Sequence, residues 1–190
     1  MSIQLDKVQP KNKTQLKQLI DYAFKHNIYD LNFIDTSEIT DMSILFMSCE
    51  YNIDVSSWNV SKVINMTGMF YCCYDFNCDL SNWDVSNVTD MSYTFIDCKK
   101  FKGKGLENWD VSNVKDMDCM FYGCKKFIGK SIENWNVSNV KYMSNTFNGC
   151  IKFNCDLSKW NISNIKYYGN MFDGCNKLTI PNWYKLYYKK

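Results

Sequence analysis

The sequence predicts a repeat solenoid in which each repeat of 24–26 residues carries one short parallel strand and one short helix. Two observations support this fold class. The phrase NWDVSNV occurs twice without change, at 82–88 and 108–114, and it returns with small changes in three further copies. The second observation is a set of apolar columns, each of which places one residue type at the same position of successive copies.

The tryptophan and cysteine columns predict the core of the stack, because a repeat this short buries its apolar side only against its neighbours. Successive tryptophans are 23 to 26 residues apart, and the cysteines follow at similar intervals. The predicted structural core positions are Trp58, Trp83, Trp109, Trp135, Trp160, Cys49, Cys73, Cys98, Cys124, Cys150 and Cys175. The repeated phrase is therefore interpreted as scaffold and not as a binding motif.

Spacing within one copy predicts its local structure. Apolar residues at positions 88, 91, 95 and 98 follow at intervals of 3, 4 and 3, which is typical of the buried stripe of a short helix. The pattern L-x-x-W-x-V at 106–111 ends in the alternation of a strand, and it matches the L-x-x-L-x-L core of a leucine-rich repeat. The predicted fold is accordingly leucine-rich-repeat-like.

A single domain with a cap at each end is predicted. Residues 1–30 form the N-terminal cap, with a helix at about 14–26 whose predicted N-cap is Thr14. Residues 31–178 form the stacked repeats, and residues 179–190 form the C-terminal cap. There, Pro181 inside the final strand register and the lysines at 185, 189 and 190 are expected to protect the open sheet edge.

The repeat unit VTDMSYTFIDC…LENWDVSN resembles that of the BspA-like leucine-rich-repeat surface proteins, whose hallmark is W-D-V-S-N-V-T-x-M-x-x-M-F-x-x-C. The stretch VQPKNKTQLKQLIDYA at 8–23 is similar to the N-terminal cap of that family. The resemblance implies an interaction module of a bacterial surface or a large DNA virus. The chain departs from ordinary leucine-rich repeats, because Val88, Val114 and Val140 stand at the position of their asparagine ladder.

Composition argues against several classes of function. No apolar run of 18 residues occurs, so no membrane span is predicted. No signal peptide is recognisable, which predicts a location inside a cell or in a particle assembled there. All 22 basic residues are lysines, which argues against nucleic-acid recognition because base contacts favour the arginine fork. His26 is the sole histidine and no catalytic motif is present, so we predict no enzyme activity and no cofactor.

Ten cysteines raise the alternatives of metal binding, disulfides or free thiols. No C-x-x-C pair occurs, and structural zinc usually requires closely paired ligands, so no metal site is predicted. We expect the cysteine column to be reduced and buried, since free cysteine packs as a small apolar residue. Asp84 and Asp110 are expected on adjacent strands, where they form either a weak cation site or a solvated polar column.

A lysine ridge is the predicted binding surface, and its alternative is a solubilising edge. The ridge comprises Lys99, Lys100, Lys102, Lys104, Lys125, Lys126 and Lys130. It belongs to an uneven charge distribution: residues 1–98 sum to −7 and residues 99–190 sum to +9. A basic surface of this kind favours an acidic protein partner, and the charge separation along the chain also allows self-association.

These observations predict a non-enzymatic protein-interaction or structural module, which is a component of a larger assembly such as a virus particle or a surface layer. The alternative function is an adhesin-like surface receptor that binds a ligand on the polar face of the sheet.

Overall fold

The computed structural model describes residues 7–130 and 132–187, and that part of the chain contains few regular elements. Helix α1 spans Lys13–Lys25 and helix α2 spans Asn182–Tyr187, while two single-turn 3-10 helices cover Leu106–Asn108 and Ile132–Asn134. Neighbouring repeats otherwise pair through isolated parallel bridges. The prediction of one strand and one helix per repeat is therefore wrong, and so is the leucine-rich-repeat-like solenoid built from them.

The repeats are stacked rungs made of turns. Consecutive rungs are joined by backbone hydrogen bonds: the Met66 amide donates to Asp90 O at 2.9 Å, and the Gly68 amide donates to Ser92 O at 2.8 Å. The rungs cover residues 31–49, 55–73, 80–98, 106–124, 132–150 and 157–175. We call the segments that follow their cysteines connectors one to six, at 50–54, 74–79, 99–105, 125–130, 151–156 and 176–181.

The predicted helical stripe is formed by overlapping turns. In the third rung the Cys98 amide donates to Phe95 O at 3.0 Å, a bond that closes a four-residue turn. Backbone φ is 61° at Tyr93 and 54° at Asp97, and these left-handed angles are incompatible with a right-handed helix. Met91, Phe95 and Cys98 nevertheless all face the core. Successive turns therefore produce the 3-4-3 spacing that was interpreted as a helix.

Short side-chain turns interrupt the predicted strand. At the entry to the third rung and twice within it, an aspartate carboxylate accepts the amide two residues later, in the segments 79–81, 84–86 and 90–92, at 2.9–3.1 Å. The middle residues of these segments are buried: Leu80, Val85 and Met91. Asp-x-Ser is a local turn motif because the carboxylate oxygen replaces a backbone acceptor. An extended run between two such turns is too short to form a ladder strand.

Aromatic residues fill the centre of the stack and also bond the rungs to one another. The Trp135 indole N–H donates to Leu106 O of the preceding rung at 2.9 Å, and the other core tryptophans make the equivalent bond. Phe95 and Phe121 lie parallel, with ring centroids 5.6 Å apart. All five predicted core tryptophans are buried. The indole ring therefore contributes both apolar burial and a satisfied polar group.

The structure does contain an asparagine ladder. Its asparagines lie one residue before Val88, Val114 and Val140, the valines that the sequence places at the ladder position. The Asn113 side-chain amide donates to Ser86 O of the preceding rung at 2.7 Å, and Asn139 donates to Ser112 O at 2.7 Å. The same bond occurs at Asn87 and at Asn164. The Ser-Asn pair of the repeated phrase therefore links rungs on the outside of the stack.

Both ends of the stack carry a helix. Asn12, and not the predicted Thr14, is the N-cap of α1, because its side chain accepts the Gln15 amide at 3.0 Å. At the other end Pro181 precedes α2 and accepts the Tyr184 amide, so its predicted place inside a strand is wrong. Lys185 lies on α2, whereas the lysines at 189 and 190 fall outside the described residues.

Candidate interaction surface

The cysteine column is part of the scaffold. Cys124 Sγ lies 2.9 Å from Phe95 O of the preceding rung, and four further pairs repeat this thiol hydrogen bond at 2.9–3.1 Å. Burial raises the pKa of Cys73 to about 12 and holds that of Cys124 well above its ordinary value. All ten cysteines are free thiols. Only the protonated thiol donates this bond, so the column is held in the unreactive form.

Asp84 and Asp110 are exposed, and each accepts the amide of the serine two residues later, at 3.1 and 2.9 Å. Hydrogen bonds from Ser112 lower the pKa of Asp110. No group of three His, Cys, Asp or Glu side chains that could hold a metal ion occurs among residues 7–130 and 132–187. A weak cation site between the two carboxylates stays a prediction.

The seven ridge lysines lie on connectors three and four. Two of them bind carboxylates of connector two: Lys100 Nζ is 2.9 Å from Asp75, and Lys104 Nζ is 2.6 Å from Asp79. The bond from Lys104 lowers the pKa of Asp79 to about 2, with a further contribution from Ser81. Both ion pairs are largely exposed, so they contribute little to stability. The two ion pairs show that side chains of connectors two and three are close enough to contact each other.

The structure extends this surface beyond the predicted ridge. A lysine occupies the second position after the cysteine in connectors three to six, and we call this set the lysine column: Lys100, Lys126, Lys152 and Lys177. The residues that follow the first three of these lysines are stacked phenylalanines, with ring centroids 6.3 Å and 5.8 Å apart between successive connectors. The connectors that carry Lys100, Lys126 and Lys152 therefore follow one another at intervals of about 6 Å.

Lys152 and Lys177 were missed by sequence reasoning, which considered only the two longest copies. Their signal was the constant offset of two residues from the cysteine column. No ion pair involves Lys126, Lys152 or Lys177 within the described residues. A shallow depression of about 540 Å³ runs beside the column, and it is lined by Asn52, Asp75, Asn77, Lys100, Lys102, Lys126 and Lys152.

Comparison with known proteins finds one family along nearly the whole chain. The family model described as "Mycoplasma protein of unknown function, DUF285" matches twice, at residues 14–105 and 90–185. No curated protein and no solved structure matches. In the described part of the chain, neither α1 nor α2 combines the length and hydropathy that crossing a bilayer requires.

Proposed function

We propose that this chain, a member of the DUF285 family, is a non-enzymatic protein-interaction module within a larger assembly. The description of the family assigns no function, so the proposal is argued from the surface of the protein. The observation that carries this proposal is the lysine column. Four like charges occupy the same position on four successive connectors, and the last three have no carboxylate partner within the described residues. An acidic protein surface is the partner that such a column fits.

Electrostatics explains why the column favours binding over simple solvation. The connectors are about 6 Å apart, which is less than the Debye length of about 8 Å at physiological salt, so lysines on neighbouring connectors repel one another and act together on an approaching partner. An acidic surface removes that repulsion and is steered towards the column over a longer range. The phenylalanines beneath hold the connectors in place, so only the lysine side chains lose freedom on binding.

The non-enzymatic part of the proposal rests on the surroundings of the ionisable groups. His26 follows helix α1 on the surface, with its Nδ1 2.8 Å from Tyr22 O. The cysteine column is committed to hydrogen bonds with backbone carbonyls. Two thiols do lie beside carboxylates, Cys78 at 3.5 Å from Asp54 and Cys155 at 3.6 Å from Glu133, but burial raises the pKa of each thiol to about 12 and so keeps it in the weakly nucleophilic protonated form.

Charge reversal at the distal end of the column tests the proposal. The double variant Lys152→Glu/Lys177→Glu changes the net charge by −4. Its control is the double variant Lys141→Glu/Lys166→Glu, which makes the same change in net charge at exposed lysines of the rungs, outside the lysine column. Crosslinking in the native source is expected to recover one abundant stoichiometric neighbour with wild type and the control. Loss of that neighbour in the column variant alone supports the proposal, whereas equal recovery with all three proteins contradicts it.

The adhesin-like alternative is favoured by the resemblance to BspA-like surface repeats and by the exposed polar column that includes Asp84 and Asp110. In that case the ligand lies on the polar face, away from the connectors. Surface binding to host cells would then be lost in Asp84→Lys with Asp110→Lys, and it would be unaffected by the lysine-column variant. The two functions are thus separated by which pair of substitutions removes binding.

A further inference from the structure

The depression beside the lysine column is a groove with two walls of different chemistry. One wall is the lysine column itself. The other wall lies two residues further along each connector, where connectors two and three contribute Asn77 and Lys102. The residue between the two positions is the buried phenylalanine of the connector, which forms the floor. Because each wall takes one residue from each successive connector, the groove runs along the axis of the stack.

The dimensions of the groove fit an extended chain. Its lining begins at Asn52 of connector one and ends at Lys152 of connector five, so it covers four intervals of about 6 Å, or about 24 Å. A volume of about 540 Å³ spread over that length gives a cross-section of about 22 Å², which is a width of about 5 Å. A strand takes up about 4.8 Å beside its neighbour, whereas an α-helix with its side chains is about 10–12 Å across. The groove is therefore too narrow for a helix.

The spacing of the lysines selects the sequence of that chain. Alternate residues of an extended peptide point to the same side and lie about 6.6 Å apart, close to the connector interval of about 6 Å. A peptide that is acidic at every second position thus presents one carboxylate to each lysine of the column. The lysines without an ion pair in the described part of the chain are Lys126, Lys152 and Lys177. Lys100 is already paired with Asp75, so these other three supply most of the attraction.

The second wall favours a peptide over another kind of polyanion. The side chains of Asn52 and Asn77 each carry both donors and an acceptor, and an extended peptide offers both kinds of group along its backbone. The Asn77 oxygen accepts the Lys102 amide at 3.0 Å, so the NH₂ group of Asn77 is the part that remains for a ligand carbonyl. A phosphate chain has no N–H to donate and offers nothing to the Asn52 oxygen.

We propose that this groove binds an extended acidic segment of another protein, in which glutamate or aspartate alternates with uncharged residues. The inference rests on the proposed function, because it uses the same lysines, and it adds the conformation and the sequence pattern of the partner. The carboxylates face the lysine column while the backbone lies against the asparagine wall. In a block of consecutive acidic residues, by contrast, every second carboxylate of an extended chain points away from the column.

Fluorescence anisotropy with labelled synthetic peptides tests this inference. The alternating peptide Ser-Glu-Ser-Glu-Ser-Glu-Ser-Glu is compared with Ser-Ser-Ser-Ser-Glu-Glu-Glu-Glu, which has the same composition and the same net charge. The alternating peptide is expected to bind about tenfold more tightly, because twice as many of its carboxylates meet lysines. Equal affinity for the two peptides would overturn the extended register.

Substitutions of lysine separate the groove from a general effect of charge. The variant Lys126→Gln/Lys152→Gln should weaken binding of the alternating peptide by about tenfold or more. The variant Lys141→Gln/Lys166→Gln removes the same charge from exposed lysines of the rungs and should weaken binding by less than about twofold. Equal losses in the two variants contradict a site in the groove.

The asparagine wall is tested with Asn52→Ala/Asn77→Ala. This variant should bind the alternating peptide about fivefold more weakly, whereas its affinity for inorganic polyphosphate should change by less than about twofold. Equal losses for both ligands would show that the wall does not recognise a peptide backbone. Thermal unfolding of each variant should match wild type, because all the substituted residues are exposed.

Failure of this inference is distinguishable from failure of the proposed function. If the two peptides bind equally, or neither binds, while Lys152→Glu/Lys177→Glu still loses its crosslinked neighbour, the column holds a folded acidic surface and the extended segment is wrong. If the alternating peptide binds as expected but the crosslinked neighbour is retained, the groove has the proposed specificity and the assembly role is wrong.

Discussion

The rungs and the connectors of this protein meet different physical demands. From the second rung onward each rung encloses a similar space and bonds to similar neighbours, so tryptophan, phenylalanine and cysteine return at the same inward positions. Connectors two to five share a buried ring, at Phe76, Phe101, Phe127 and Phe153, and the exposed connector positions change from acidic to basic along the chain. The difference teaches that similarity between copies marks the scaffold, whereas divergence between copies marks the surface that acts on other molecules.

Removing one rung aromatic is expected to have the largest effect. Trp109→Ala should lower the free energy of unfolding by about 3–5 kcal/mol, because a buried ring and its bond to Leu80 O are both lost. Damage should spread to neighbouring rungs, which stabilise each other only by contact. Urea unfolding measures the change. Wild-type stability combined with lost partner binding would show that Trp109 is functional and not structural.

Adding one methyl group between rungs should have the next largest effect. Gly105 has a φ of 94°, and a Cβ there would lie 2.2 Å from the Ser81 backbone nitrogen. Gly105→Ala should therefore cost about 3 kcal/mol. Gly169→Ala is the matched control, because nothing lies within 4 Å of its Cβ position. That control should change stability by less than about 1 kcal/mol, and equal effects in the two variants would contradict the close approach at Gly105.

The thiol column should make stability depend on alkaline pH. Thiols of the unfolded chain ionise near pH 9, whereas burial raises the pKa of Cys73 to about 12. The native state then keeps protons that the unfolded state loses, so this contribution is complete below about pH 9 and falls as the pH rises towards 12. Urea unfolding between pH 7 and pH 10 should show a shallower decline for Cys73→Ser than for wild type. Parallel declines would show that Cys73 ionises equally in both states.

A connector substitution should have the smallest effect on folding. Lys125 is exposed on connector four, and Lys125→Glu should shift the free energy of unfolding by less than about 0.5 kcal/mol. Thermal unfolding of this variant beside Trp109→Ala compares the two regions directly. A change at this exposed connector side chain that destabilised the chain as much as Trp109→Ala would remove the distinction between scaffold and surface.

The repeat period and the buried columns could be predicted from the sequence, because identical residues at a fixed interval require a common environment. The local structure could not, since intervals of 3, 4 and 3 arise from overlapping turns as well as from a helix. The segments 79–81, 84–86 and 90–92 did contain a usable signal, as Asp-x-Ser indicates a side-chain turn. The ion pairs of Lys100 with Asp75 and of Lys104 with Asp79 became visible only once the connectors were aligned in space.

The tryptophan, asparagine and cysteine side-chain bonds between rungs run in one direction. Trp135, Asn139 and Cys150 donate to carbonyl groups of the preceding rung, which are made earlier by the ribosome. A nascent chain that has completed one rung therefore already presents the acceptors of these three kinds of side-chain bond. At about 5–20 residues per second, a new rung emerges every few seconds, far more slowly than turns form. The growing chain can therefore add rungs to a finished template.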